Sequence, residues 1–114
     1  MEQRIEDLNE EINSYFFNKI NFILDGKVIK EGKLKLFTMK SFNLKFFLID
    51  ENNSIKTLEM PYPFRLIRHK NGYVFDYRLE AFRLLKKTEL LDNLIEENFV
   101  KSRYFDKQLI VKIE

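Results

Sequence analysis

The sequence predicts an α+β fold in which an N-terminal helix, an antiparallel meander of four to five strands, a second helix and a C-terminal strand form a two-layer roll. Apolar residues recur at three- and four-residue spacing near the N-terminus and again after residue 79. Between these segments they alternate with polar residues, as in strands. The two amphipathic helices are the only predicted cover for the apolar face of the sheet. With 114 residues, 45% of them hydrophobic, the chain is predicted to be one domain, residues 1–114.

The first predicted helix runs from Ile5 to Ile23. Acidic residues in its first turns complement the positive end of the helix dipole. Asp25-Gly26 is interpreted as the helix stop, because glycine tolerates the left-handed conformation that ends many helices. We expect Ile12, Phe16 and Ile20 on its apolar stripe to be buried against the sheet.

The middle of the chain is predicted to form a meander. A short strand near 27–31, turned by Glu31-Gly32, precedes a strand at Lys33–Phe37. The alternating segment 42–49 is followed by Asp50–Ser54, a concentration of turn-forming residues. The strand at about 54–60 is therefore expected to run antiparallel to 42–49.

A hairpin is predicted after Pro61-Tyr62-Pro63, whose prolines cannot continue a central strand and indicate a crossover or an edge segment. The strands Phe64–Lys70 and Tyr73–Tyr77 are joined by Asn71-Gly72, a dipeptide that favours a type I′ turn. In that register Lys70 faces Tyr73 and Arg68 faces Phe75.

Helical spacing returns over Leu79–Val100, as one helix or as two with Thr88 at the cap of the second. After a break at Ser102–Asp106, the alternation of Leu109, Val111 and Ile113 predicts the C-terminal strand.

The chain lacks most groups used in catalysis. It has no cysteine, which excludes disulfides, thiolate metal sites and cysteine nucleophiles. His69 is the single histidine and is interpreted as an ordinary surface residue, since a lone histidine is a poor metal site. No glycine-rich phosphate loop is present. We therefore predict a protein that is not an enzyme, with no catalytic residue, no metal and no cofactor.

Charge is unevenly distributed although the net charge is only +2. Both predicted helices are acidic, whereas residues 27–45 are basic. The lysines of that segment are Lys27, Lys30, Lys33, Lys35, Lys40 and Lys45, opposed by Glu31 alone. Such segregation suits the steering of an oppositely charged partner, and it also occurs on ordinary solvated surfaces.

One face of the predicted hairpin is a candidate contact surface. Arg68, Lys70 and Tyr73 project from it, and Lys33 and Lys35 are expected to contribute from the basic strands. Aromatic rings interleaved with basic side chains are typical of sheets that bind single-stranded nucleic acid. The alternative is that the hairpin aromatics belong to the core and that Arg68, Lys70 and Tyr73 lie beyond its edge.

The leading functional hypothesis is a small non-catalytic protein-interaction module of the adaptor, inhibitor or immunity type, with another protein as its partner. The alternative is a protein that binds single-stranded RNA or other nucleic acid, and homo-oligomerisation is a third hypothesis. The acidic opening Met1–Leu8 does not have the pattern of a signal peptide, and Phe46–Ile49 is the longest apolar run. A cytoplasmic protein without membrane association is expected.

Overall fold

The computed structural model describes residues 7–40, 43–61, 65–78 and 102–114. The elements are α1 (Leu8–Asn13), β1 (Lys19–Leu24), β2 (Lys27–Lys40), β3 (Asn43–Ile49), β4 (Ile55–Pro61), β5 (Arg65–His69), β6 (Gly72–Asp76) and β7 (Gln108–Ile113). These seven strands form one antiparallel sheet with the order β4-β3-β2-β1-β7-β6-β5. The prediction of an α+β two-layer roll is wrong, because the sheet dominates and the described residues contain one short helix. The predicted helix at 79–100 lies outside the described residues.

The predicted N-terminal helix is wrong beyond Asn13, because the chain enters β1 at Lys19. Ile20, Phe22 and Leu24 also fit a period of two, and all three are buried on one face of β1. Asp25 and Gly26, interpreted above as a helix stop, have φ angles of 53° and 75°. They form the two-residue loop of the β1–β2 hairpin, in which Leu24 pairs with Lys27, as expected for a type I′ turn.

The expected burial of Phe16 is also wrong. Ile12 and Ile20 are buried as predicted, but one lies in α1 and the other in β1. Phe16 lies in the turn between these elements, where 57% of its surface is exposed. Residue 16 lies beyond the end of α1, so no helical stripe turns its ring toward the core.

The predicted strands at 42–49 and 54–60, the turn between them and the C-terminal strand are confirmed as β3, β4 and β7. Residues 27–40 form a single strand rather than two. Gly32 does not turn the chain, because it pairs with Ile20 in the middle of β2.

The β5–β6 hairpin is confirmed, but its register is displaced by two residues. Arg68 pairs with Tyr73 and His69 with Gly72, which leaves Lys70-Asn71 as the loop. Side chains keep their predicted faces, because a shift of two residues preserves alternation. Gly72 has a φ of 152°, and a Cβ atom built there would overlap the carbonyl oxygen of Val111 in β7. Close approach of β7, and not the demand of a type I′ turn, explains this glycine.

The sheet must curl on itself, because its two edge strands follow one another in the chain. Pro61 ends β4 and Arg65 begins β5, so their Cα atoms are at most about 14 Å apart. In a flat sheet of seven strands these edges would be separated by about 29 Å. Phe46 in β3 and Phe75 in β6 confirm the curl, since their ring centroids are 6.5 Å apart. The inward side chains thus form one closed core, with Leu8 and Ile12 of α1 packed into it.

Side chains close the β4 edge. The carbonyl groups of alternate residues on a strand point the same way, so those of residues 57, 59 and 61 face one side together. Each accepts a hydrogen bond from a distant side chain. The pairs are Lys30 Nζ to Thr57 O at 3.0 Å, Tyr104 Oη to Glu59 O at 3.2 Å and Tyr77 Oη to Pro61 O at 2.9 Å. Within the described ranges, side chains and not a further strand thus cover this edge, which blocks a site of unwanted strand pairing.

Replacing Tyr77 or Tyr104 by phenylalanine should lower the free energy of unfolding by about 1–3 kcal/mol each, because a carbonyl acceptor loses its donor. Urea denaturation measures this change. Tyr15→Phe is the matched control, since the Tyr15 hydroxyl makes no hydrogen bond to any residue that the structure describes. If both edge variants unfold at the wild-type midpoint, the hydroxyl groups do not hold the edge.

Gly72→Ala should destabilise the protein by about 3 kcal/mol or more, because its methyl group would overlap the Val111 carbonyl of β7. Gly26→Ala is the control for backbone conformation alone. Gly26 has a positive φ, but nothing lies within 4 Å of an added Cβ, so its loss should be about 1 kcal/mol. Equal losses in the two variants would contradict the overlap.

Candidate functional site

The turn between α1 and β1 covers part of the edge of β2. The Phe17 amide donates to the Leu34 carbonyl at 2.8 Å, and the Leu34 amide donates to the Asn18 carbonyl at 2.9 Å. Further along β2, the side chain of Asn13 engages both backbone groups of Phe37. Its Oδ1 accepts from the Phe37 amide at 2.7 Å, and its Nδ2 donates to the Phe37 carbonyl at 2.9 Å. These bonds hold the turn in one place.

This turn displays two stacked phenyl rings. The ring centroids of Phe16 and Phe17 are 4.7 Å apart, with planes 5° from parallel, and the side chains are 57% and 55% exposed. Phe17 has a φ of 72°, a left-handed conformation that is rare for a bulky residue and costs about 1–2 kcal/mol. The Lys33 ammonium lies over the Phe17 ring, 5.7 Å from its centroid. Both the exposure and the backbone conformation oppose stability, so stability does not explain this arrangement.

The outer face of the sheet continues this apolar surface. A bulge between Leu34 and Leu36 turns the Leu36 side chain outward, where it is 44% exposed and pairs with Phe47. Directly paired residues share a face, so Ile49 and Ile55 lie on the same side of the sheet. We call this surface the outer apolar patch. It comprises Phe16, Phe17, Leu36, Phe47, Ile49 and Ile55.

Charged residues border the patch. Lys19, Lys33, Ile49 and Ile55 form one row across β1, β2, β3 and β4, with its basic half on β1 and β2. Lys35 follows on β2 and is exposed. Near β4, Lys45 lies over the Phe47 ring at 5.4 Å and pairs with Glu59 at 3.0 Å.

A groove of about 730 Å³ separates Phe17 and Lys33 from the turn at residues 50–54. Asp50 in its wall organises that turn, since its Oδ1 accepts from the Ser54 and Asn52 amides at 2.9 Å each. The Ser54 amide is the largest influence that holds the pKa of Asp50 below its usual value, and Lys56 at 3.7 Å adds to it. This carboxylate is therefore committed to the loop.

The residues nominated from the sequence fall into two separate places. Lys33 and Lys35 lie on β2 beside the outer apolar patch. Arg68 and Tyr73 instead meet at α1, where Arg68 Nε and Tyr73 Oη donate to Glu11 Oε2 at 3.0 and 2.7 Å. Lys70 is exposed in the β5–β6 loop.

Tyr73 is part of the core, with 3% of its surface exposed. Its buried ring offers no free face for stacking on a base, and its hydroxyl group attaches α1 to the hairpin. A contact role for Arg68, Lys70, Tyr73, Lys33 and Lys35 stays a prediction, and the geometry favours the two β2 lysines.

Phe16 and Phe17 are the residues that the sequence reasoning missed. The helical spacing predicts Phe16 on a buried stripe and makes no prediction for Phe17. A signal was present, because Phe17 does not lie on the stripe through Ile12, Phe16 and Ile20. A second adjacent phenylalanine off the stripe would have needed cover from another element.

Two further polar residues lie away from the outer apolar patch. His69 is exposed at the end of β5. Buried Asp76 is bound by Arg78, with Nε to Oδ1 at 3.0 Å and a second nitrogen to Oδ2 at 2.9 Å. Although burial raises the pKa of Asp76, these bonds hold it below its usual value. Within the described ranges, no three His, Cys, Asp or Glu side chains cluster as metal ligands, and no helix has the length and apolarity to span a bilayer.

Stability should fall as the pH rises above about 10. Burial raises the pKa of Tyr73 far above its ordinary value of 10.0, and the hydrogen bond to Glu11 raises it further. Above that pH the unfolded chain releases the phenolic proton while the folded chain keeps it. The contribution is therefore complete below pH 10 and is lost at up to about 1.4 kcal/mol per pH unit above it.

Urea unfolding between pH 9 and 11.5 tests this expectation. Tyr73→Phe should reduce the slope of stability against pH, while Tyr77, whose pKa burial also raises, still contributes. An unchanged slope in the variant would show that Tyr73 ionises without unfolding.

Comparison of the chain with protein-family models, with curated proteins and with solved structures finds no match. The exposed aromatic pair, the neighbouring lysines and the strained backbone beneath them are the observations from which a function can be argued.

Proposed function

We propose that this chain is a non-catalytic protein-interaction module, of the adaptor, inhibitor or immunity type, that binds its partner through the outer apolar patch. The observation that carries this proposal is the exposed stacked pair Phe16–Phe17, held in a strained backbone conformation. A cytoplasmic location remains part of the proposal.

Exposed aromatic rings are suited to protein recognition. Aromatic side chains are enriched at the centres of protein interfaces, where their burial contributes a large share of the binding energy. The rings of Phe16 and Phe17 are already stacked on each other, so binding would cost little additional side-chain conformational entropy. On the outer face of the sheet, Leu36 and Ile55 are 44% and 54% exposed and add apolar surface that a partner could cover.

Binding of single-stranded RNA is the second candidate, favoured by Lys33 and Lys35 beside exposed phenyl rings. The stacked arrangement fits this role less well. Each ring already uses one face against the other, and the Lys33 ammonium lies over Phe17. The aliphatic side chains of Leu36, Ile49 and Ile55 give a base nothing to stack on.

The double variant Phe16→Ala/Phe17→Gly should keep its stability and lose binding. Removing exposed Phe16 should cost less than about 1 kcal/mol. Glycine at 17 relieves the left-handed strain but makes the unfolded chain more flexible, and these effects offset each other to within about 1 kcal/mol. Urea denaturation measures the stability, and affinity capture from nuclease-treated host lysate measures the binding.

Val28→Ser is the matched control, because Val28 is 54% exposed and lies about 17 Å from Lys33 along β2. A stoichiometric protein recovered with the wild type and the control, but not with the double variant, supports the proposal. Loss of more than about 3 kcal/mol of stability in the double variant would make the two rings structural and contradict it. Capture that persists in the double variant would also contradict it.

A further inference from the structure

We infer that the partner presents an acidic surface around an apolar anchor, and that carboxylates of this surface contact Lys33 and Lys35 while the anchor covers the Phe16–Phe17 pair. This inference rests on the proposed function and names the chemistry of the partner. It is carried by the charges that border the outer apolar patch.

The positive charge on β1 and β2 is not neutralised within the described part of the chain. Lys19, Lys33 and Lys35 have no carboxylate within ion-pair distance among the described residues. Glu59 and Asp50 are instead engaged by Lys45 and Lys56 at 3.0 and 3.7 Å. Two further acids, Glu31 and Glu51, line the groove with Lys19 and Lys33, whereas Lys35 lies outside its lining.

Lys33 places a positive charge directly beside the exposed phenyl rings. Its ammonium lies 5.7 Å from the centre of the Phe17 ring, so a carboxylate that pairs with it arrives at the margin of the stacked rings. A partner that covers the rings would also exclude water from this ion pair, which strengthens the attraction between the charges. Complementary charge at the rim would increase the rate of association and fix the orientation of the partner.

The same charges argue against a second copy of this chain. A two-fold interface places one surface against itself, so it would bring Lys33 and Lys35 of both copies into the same interface. Like charges brought together at an interface are unfavourable. An acidic protein surface removes this repulsion and still covers the rings.

A random library of 12-residue peptides displayed on phage, selected on the immobilised full chain, tests the inference. Selected peptides should be enriched in Asp and Glu flanking a large apolar residue. Synthetic copies of these peptides should bind Lys33→Glu/Lys35→Glu at least 10-fold more weakly than the wild type. Lys27→Glu, on an exposed lysine about 20 Å from Lys33 along β2, should change the Kd by less than 2-fold. Peptides with their acids changed to lysine should bind the charge-reversed variant better than the wild type.

The possible outcomes distinguish a failure of the acidic-partner inference from a failure of the proposed function. Peptides that need Phe16 and Phe17 but show no acidic enrichment, or ignore the charge reversal, overturn the inference and leave the proposed function standing. Selection that yields no peptide sensitive to Phe16→Ala/Phe17→Gly contradicts the proposed function itself. Saturable binding of a labelled single-stranded RNA that is lost in the same double variant would overturn both in favour of nucleic acid. Concentration-dependent dimerisation lost in that variant would identify a second copy as the occupant.

Discussion

Closure of the β4 edge is the constraint on which the rest of the structure depends. Tyr77, Tyr104 and Lys30 donate hydrogen bonds to alternate carbonyl groups along β4, the last strand in the order of the described sheet. With the edge held, the sheet curls until strands far apart in its order share one core, as the contact between Phe46 and Phe75 shows. The inward side chains of the described strands then share one core, into which α1 packs Leu8 and Ile12.

Helix α1 depends on this curled sheet for its own position. Six residues are too few for a stable isolated helix, so α1 is held by Leu8 and Ile12 in the core and by polar contacts at its sides. Glu11 binds the β5–β6 hairpin, and Asn13 binds the backbone of Phe37 in β2. The turn that follows is fixed at the surface by these contacts. It can therefore display the Phe16–Phe17 pair in a conformation that the chain alone would not favour.

The curled sheet also separates the residues used for folding from those available for binding. Tyr73 resembles a contact residue by its type, but the curl places its ring inside and its hydroxyl on Glu11. Phe16 resembles a core residue by its type, but the early end of α1 leaves it outside. Basic charge collects on the outer face because the lysines of β2 cannot point into a core of phenylalanines.

The sequence by itself determined the strands whose pattern is local. Alternation predicted β3, β4 and β7, and turn-forming residues located Asp50–Ser54, because one buried face imposes a period of two. Only the tertiary structure decided the state of residues 20–24, since their apolar residues fit both a helix and a strand and pairing with β2 and β7 selects the strand. It also decided the hairpin register, in which Gly72 lies against the backbone of Val111 in β7. The burial of Tyr73 was decided there too, and its hydroxyl group binds Glu11, 62 residues away in the chain. Contacts between residues so distant in sequence leave no periodic pattern, so neither the closure of the sheet nor the exposure of Phe16 and Phe17 could be derived from local spacing.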